Sequence, residues 1–452
     1  MGNWRCVLIA MSGVRIQNQA LRELGLTLPG FIERGQVIAS LPSLGLLTLA
    51  GATPPHWELS YHEVDDLGDW AAEITALQPD VVAISSLSAR VNDAYRLADQ
   101  LRAAGITVVI GGLHASVRPE EAGMHADTVV VGPGERVWPK LLAEWEEGRL
   151  QKCYRHRDYG SDDLSAVPIP RYDLLDCDRY NRITLQTHRG CPHDCTFCGA
   201  SRLISSYQRK PLCRVEEELD AIQAVWPQPF LELADDNSFV HKPYARDLAR
   251  TLGRRNIRWF TETDISVADD PDLLGLLAES GCAQVLIGLE SPVPSDLIGM
   301  DRKDWKSRQA DRYHDAIGRI QRAGVSVNGC FVLGLDEHDE TCFDHVLNFV
   351  AGSGLAEVQV TVMTPFPGTE LTAQLAAEGR LLKDEWWDEC TLFDVVYRPA
   401  RMSVSELEDG FRTLVSRIYT EDMVAGRKSA FRSAMREGRR ARRGQRIGED
   451  TV

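Results

Sequence analysis

CPHDCTFC, residues 191–198, sets Cys191, Cys195 and Cys198 at gaps of three and two residues, with no fourth cysteine close behind. Thiolates are soft ligands, and three within one short loop point to a metal centre. A structural zinc site asks for four Cys or His ligands at paired spacings. The nearest other cysteines are Cys177 and Cys213, so His188 or His193 would have to complete a zinc set. A [4Fe–4S] cluster is ordinarily held by four thiolates. Held by three, it leaves one iron open to a substrate or cofactor, as catalytic metal sites keep a position open.

A loop with that task needs a rigid support, and the flanking sequence predicts one. The cysteines follow ITLQTH, the first of six strand candidates; the others are PFLELAD, IRWFTETD, AQVLIGLE, VSVNGCFVLG and EVQVTVMTP. Helical stretches such as RVEEELDAIQAVW, KPYARDLARTLGRR and DRYHDAIGRIQRAG separate most of them. The alternation predicts a partial (β/α)6 barrel over 183–370, with chemistry on the loops after each strand.

Residues 1–145 alternate in the same way on a smaller scale. RCVLIAM, WELSYHEV, VVAISSL, ITVVIGG and DTVVVG read as strands, and ARVNDAYRLADQLRAAG as a helix stopped at Gly105. This predicts an α/β, doubly wound, flavodoxin-like parallel sheet, whose ligand edge lies beyond the carboxyl ends of the strands. That edge reads SSLSAR, GGLHAS and GPGER, rich in Gly and Ser and of nucleotide size. GxGxxG is absent, which disfavours a dinucleotide fold. The acidic pocket of a receiver domain is absent too. Residues 146–182, with two prolines in VPIP, read as a linker. Residues 371–452 read as an irregular Trp-rich segment followed by helix, ending in a basic tail of nine Lys/Arg against one Glu over 426–446. A solvated, fraying terminal helix is the plain expectation for that tail.

The 452-residue chain has 44% hydrophobic and 26% charged residues, the balance of a globular protein with sizeable cores. No apolar run reaches 18 residues, so no membrane span is expected. The start, MGNWRCVLIAMSGVR, is too short and too quickly polar for a secretory signal. Eleven cysteines without export are expected to be reduced thiols and ligands in the cytoplasm. A net charge of −16 argues against generic nucleic-acid binding.

CxxxCxxC after the first strand of a six-unit barrel, with the RGCP prefix and Phe197 before the last cysteine, resembles the radical S-adenosylmethionine (SAM) superfamily. The front domain, through VVIGGLHAS, DTVVVGPGE, LPSLGLLTLA and VPIPRYDLLD, looks like its cobalamin-binding class, over about residues 1–400. The resemblance implies that Cys191, Cys195 and Cys198 hold a [4Fe–4S] cluster whose open iron chelates SAM. It implies SAM contacts by Phe197, by Asp235 and Asp236 in LELADDN, by Glu290 in IGLES, and by Gly334 in GCFVLGLDEHDET. It implies a cobalamin groove at Ser85, Ser86, Gly111, Gly112, His114, Gly132, Gly134 and Glu135. Many such domains carry Asp-x-His-x-x-Gly after the first strand, the His binding cobalt from below. Here the stretch reads SGVRIQNQ, and Arg15 near the missing His would block that face instead of ligating it.

The resemblance implies an enzyme served by an external flavodoxin- or ferredoxin-type electron donor and acting on a small molecule or peptide. A C-methyltransferase acting on an unactivated carbon is the first expectation. A cyclase or other redox enzyme with the same cofactors is the second, and a non-catalytic corrinoid-binding protein is the remote third. A methylthiotransferase would bring three more cluster cysteines in its front domain, whereas only Cys6 precedes residue 150.

Overall fold

The computed structural model describes residues 4–11, 13, 16, 17, 19, 41–160 and 163–449. Arg15 lies outside them.

The first sheet contains β1 (Trp4–Met11), β2 (Trp57–Val64), β3 (Val81–Ser86), β4 (Thr107–Gly111), β5 (Thr128–Val131) and β6 (Cys153–Arg155), in the order β2-β1-β3-β4-β5-β6. All pairings are parallel. Continuous apolar runs such as the buried Val7–Met11 and Val81–Ile84 are what a sheet covered on both faces requires. β6 corrects the expected boundary at 145, because its three residues extend the sheet into the stretch read as linker. Tyr154 anchors it, fully buried, with its hydroxyl donating to Glu144 at 2.6 Å. The prolines that marked the linker have a structural use. Val167–Leu174 straps over the helix Leu44–Ala52, where the Arg171 amide donates to the Leu47 carbonyl at 3.0 Å.

The second sheet begins with β7 (Ile183–Leu185), followed by a small antiparallel pair, β8 (His188–Arg189) and β9 (Gln208–Arg209). β10 (Phe230–Leu233), β11 (Arg258–Thr263), β12 (Cys282–Glu290), β13 (Ser326–Leu333) and β14 (Glu357–Val362) complete it in the order β14-β13-β12-β11-β10-β7. All six expected barrel strands form, and all pair in parallel. β7 and β14 do not pair with each other, so the barrel is partial. Period-two alternation turns Leu286, Gly288 and Glu290 on β12, and Cys330 and Val332 on β13, toward the interior.

One apolar cluster runs from Val7 and Ile84 of the first sheet to Leu231 and Val327 of the second. Each fully buried aliphatic side chain contributes about 1.5–3 kcal/mol, so the cluster fixes the two sheets relative to each other. The helix Val404–Ile418 starts at a capping box: Ser403 Oγ accepts from the Glu406 amide at 3.2 Å, and Glu406 accepts from the Ser403 amide at 2.6 Å. The basic segment does not fray over its described length. It forms the helix Glu421–Glu449 and docks on the helix Tyr313–Ala323, with Gly438 against the Arg322 carbonyl where no side chain would fit. Among the described residues, no helix is long and apolar enough to cross a membrane.

Candidate active site

The cysteine loop is positioned from both ends. Gly190 has φ +73°, and a Cβ there would lie 2.7 Å from the Ser206 backbone, so the residue before Cys191 has to be glycine. Farther along, the Thr196 amide donates to Met300 O at 2.9 Å, the Thr196 carbonyl accepts from Leu371 N at 3.0 Å, and Arg202 donates to Cys195 O at 2.6 Å. Cys191, Cys195, Phe197 and Cys198 thereby line a cavity of about 280 Å³ at the carboxyl ends of the barrel strands. Burial pushes the thiols up, Cys191 to about 12 and Cys195 to about 11. They stay protonated near neutrality until a metal displaces the proton.

The acidic residues after β10 divide their work. Asp236 lines the cavity. Asp235 does not, which corrects its expected SAM contact. Fully buried, it accepts from the Thr187 and His188 amides at 2.7 and 2.8 Å and from Ser238 Oγ at 2.9 Å, bracing the loop that leads to Cys191. Burial works to raise its pKa, but the hydrogen bonds from His188 and Thr187 prevail and hold it below the usual range. His188 and His193 are likewise engaged. His188 Nδ1 lies 3.1 Å from Asp235, and His193 Nε2 lies 3.4 Å from Asp264. Among the described residues, no three His, Cys, Asp or Glu side chains converge on one point as a single zinc ion would need. Thiols spread around a cavity suit a cluster, in which each thiolate takes a different iron.

Glu290 faces the cavity from a bulge where the β12–β13 register shifts, and it sits at φ +62°, unusual for a residue with a side chain. Its carboxylate meets Lys306 Nζ at 2.8 Å, with both side chains largely enclosed. Lys306 also donates to Gly288 O at 3.2 Å. Burial works to lower the Lys306 pKa, but the neighbouring Glu290 outweighs it and raises the pKa. Sequence reading missed Lys306 because KDWKSRQ carries no motif; only the fold brings it to Glu290. Gly334 corrects another expectation. It has φ +84°, and its missing side chain makes room for Tyr397, whose hydroxyl donates to Gly334 O at 2.5 Å; Gly334 does not line the cavity.

A second cavity, of about 270 Å³, lies at the carboxyl ends of the first sheet, roofed by the helix Leu44–Ala52. Ser85, Gly111, Gly112, Gly132, Gly134 and Glu135, all named as candidates from the sequence, line it. Ser86 and His114 do not. Ser86 is buried behind the rim. His114 is spent on Ser88 at 3.0 Å and Glu121 at 3.3 Å and meets the Trp387 ring edge-on, so its part is packing. Leu44, Leu46, Leu49 and Trp138 supply apolar walls that sequence reading left unassigned. Gln186, Arg189, Ile204 and Ala234 enter from the barrel side. Arg189 pairs with Glu135 at 2.6 Å, both side chains largely enclosed, tying the loop after β5 to β8 at this one cavity.

Residues 35–142 match the B12 binding domain family and residues 185–350 the radical SAM superfamily. The chain thus joins a B12-binding domain to a radical SAM domain. Residues 369–450 match a domain of unknown function, DUF4070. This B12-binding radical SAM chain is 24% identical over 354 residues to the bacteriochlorophyllide d C-12(1)-methyltransferase of Chlorobaculum tepidum, covering 77% of this chain and 76% of that one. It is 23% identical over 368 residues to the anaerobic magnesium-protoporphyrin IX monomethyl ester cyclase of Rubrivivax gelatinosus, covering 75% and 65%. Matched stretches span 64% to 83% of the lengths of such curated relatives. The fold is that of the radical SAM methyltransferase TsrM from Kitasatospora setae, solved with cobalamin and a [4Fe–4S] cluster, with TM-score 0.66, 16% identity and 98% and 100% of the two chains covered. The two domain matches imply a [4Fe–4S] cluster and SAM for residues 185–350 and cobalamin for residues 35–142.

Proposed function

We propose that the protein is a cobalamin-dependent C-methyltransferase acting on an unactivated carbon of a small molecule. The observation that carries this reading is the presence of two cavities of different chemistry, one at the carboxyl ends of each sheet. A thiol-lined cavity ends the barrel strands, and a glycine-rimmed apolar one ends the front strands, with Gln186, Arg189 and Ala234 of the barrel segment helping to line it. When bound, the cofactors supply a carbon-centred radical and a transferable methyl group, and the protein supplies placement and exclusion of water.

In this reading Cys191, Cys195 and Cys198 hold the cluster. Asp236 and Glu290 receive the amino and ribose groups of SAM, and Lys306, 2.8 Å from Glu290, holds its carboxyl group in place. Phe197, Phe366 and Leu392 wall the cavity and keep water from a reactive intermediate. The front cavity takes the slender nucleotide tail of the corrinoid, because glycines let a ligand approach the backbone closely. Likeness to the Chlorobaculum methyltransferase supports methyl transfer, and likeness to the Rubrivivax cyclase makes ring closure the alternative outcome. An external one-electron donor belongs to either reading.

The test is to mix anaerobic, reconstituted protein with cob(I)alamin and SAM, then compare metabolites of cells with and without the protein by mass spectrometry. Methylcobalamin formation and a product heavier by one methylene support methyl transfer. A product lighter by hydrogen, with no methyl gained, overturns it in favour of cyclisation or oxidation.

A further inference from the structure

Glu290 holds a strained conformation. Its φ of +62° is rare for a residue with a side chain. The Ser291 amide donates back to Leu289 O at 2.8 Å, closing a tight turn with Glu290 at its centre. Such a turn persists only where its surroundings over-determine it, and here they do. Tyr313 Oη donates to Leu289 O at 3.0 Å. Lys306 Nζ donates to Glu290 at 2.8 Å and to Gly288 O at 3.2 Å. Ser291 Oγ donates to Asp296 Oδ2 at 2.6 Å and accepts from the Val293 amide at 3.1 Å.

Asp296 is itself held from the loop after β13, the stretch LDEHDE that follows Gly334. His338 on that loop places Nε2 3.1 Å from the same Asp296 Oδ2, and donates to it because a carboxylate only accepts. His338 is 2% exposed, and its Nδ1 is buried with no hydrogen-bond partner among the described residues. Burying an unpaired ring nitrogen costs free energy, so packing alone would be better served by an apolar side chain. What the imidazole adds is its hold on Asp296. The segment anchored there leaves Glu290 at Ser291 and returns to it at Lys306. Asp301 accepts from the Trp305 and Lys306 amides at 2.9 and 3.1 Å, which brings the lysine back to the carboxylate.

We infer that His338 and Asp296 are positioning residues for Glu290: through Ser291 they fix the turn that presents its carboxylate to the ribose hydroxyls of SAM. Neither lines the cavity, so each acts only through that turn. The loop after β13 thus serves the SAM site at one remove, by His338 instead of Gly334. The inference rests on Glu290 contacting SAM, whichever reaction follows.

A double-mutant cycle on full-length, cluster-loaded protein tests it, with SAM affinity read by anaerobic equilibrium dialysis. His338→Leu leaves Asp296 one donor short and weakens SAM binding about tenfold, as expected for one lost hydrogen bond to a charged group. His338→Gln, whose amide nitrogen can stand where Nε2 stood, stays within about twofold of wild type. Glu290→Ala weakens binding by itself, and in that background His338→Leu has no further effect. Iron content stays at the wild-type level throughout. An equal loss in both backgrounds, wild-type affinity in His338→Leu, or a His338→Gln variant as weak as His338→Leu overturns the inference.

A second readout needs no SAM. In a crystal structure of the cluster-loaded His338→Leu protein, the Ser291 amide parts from Leu289 O and Glu290 from Lys306, whereas His338→Gln keeps both contacts. A Glu290 turn unchanged in His338→Leu contradicts the positioning role. Should that variant fail to fold, Ser291→Ala cuts the same link one step nearer. A fall of about tenfold in SAM affinity that vanishes beside Glu290→Ala then supports the inference, and wild-type affinity overturns it. Wild-type SAM affinity in Glu290→Ala would instead sink the ribose assignment beneath the inference, a failure told apart because the crystallographic readout does not depend on it.

Discussion

Both six-stranded sheets are parallel, and both cavities open beyond the carboxyl ends of their strands, yet the two are furnished differently. The front cavity is rimmed by Ser85, Gly111, Gly112, Gly132 and Gly134 over apolar walls. The barrel cavity of nearly equal volume carries four thiols, Cys330 among them, and the carboxyl groups of Asp236, Glu262, Asp264, Glu290 and Asp301. One site selects by shape and close backbone approach, and the other by charge and ligation. Damage should follow the same division: side-chain additions should break the front site, and side-chain deletions the barrel site.

The largest expected effect is in the barrel. Cys195→Ala leaves two thiolates where three are needed, so iron per chain falls to background and SAM cleavage is abolished, while cobalamin uptake is unchanged. Iron retention equal to wild type in anaerobic metal analysis would refute the ligand assignment. Next is Lys306→Met, which strands Glu290 as an enclosed charge. Removing one partner of a buried pair costs about 3–5 kcal/mol. Chemical denaturation should show that loss and titration a weaker SAM affinity, both partly restored in the Lys306→Met/Glu290→Gln double variant.

Gly111→Leu sharpens the contrast from the other side. A Cβ at Gly111 meets nothing closer than Val130 at 3.7 Å, so the substitution fills the cavity with little strain. Cobalamin affinity should fall by about tenfold or more, as expected for an intruding side chain, with iron content and cluster absorbance unaltered. Equal cobalamin retention by wild type and variant would place the corrinoid elsewhere. The smallest effect belongs to Tyr397→Phe, which removes one hydrogen bond to Gly334 and should cost about 1 kcal/mol. SAM affinity should not change; a fall would return Gly334 to the ligand site.

Legibility divided along the same line. The strands of both sheets could be read from the sequence because each is a continuous apolar run flanked by turn residues, and the cysteine triplet because its spacing is local. β6 escaped because CYR is too short to show a period and is recruited by pairing with β5. Asp235 and Asp236 are adjacent and chemically identical, so only the fold separates the loop brace from the cavity residue. Gly334 was recognised as a position needing glycine, but its neighbour, Tyr397, lies 63 residues away. Lys306 and Gln359 reach the cavity through strand order and helix packing, and carry no local signature.

The central claim is that three thiolates leave a single iron open for SAM. Mössbauer spectra of anaerobically 57Fe-reconstituted protein, taken with and without SAM, test it most directly. The account predicts that SAM shifts the signal of one distinct iron site while the remaining sites keep their parameters. Spectra identical with and without SAM, at full iron occupancy and saturating SAM, would contradict it.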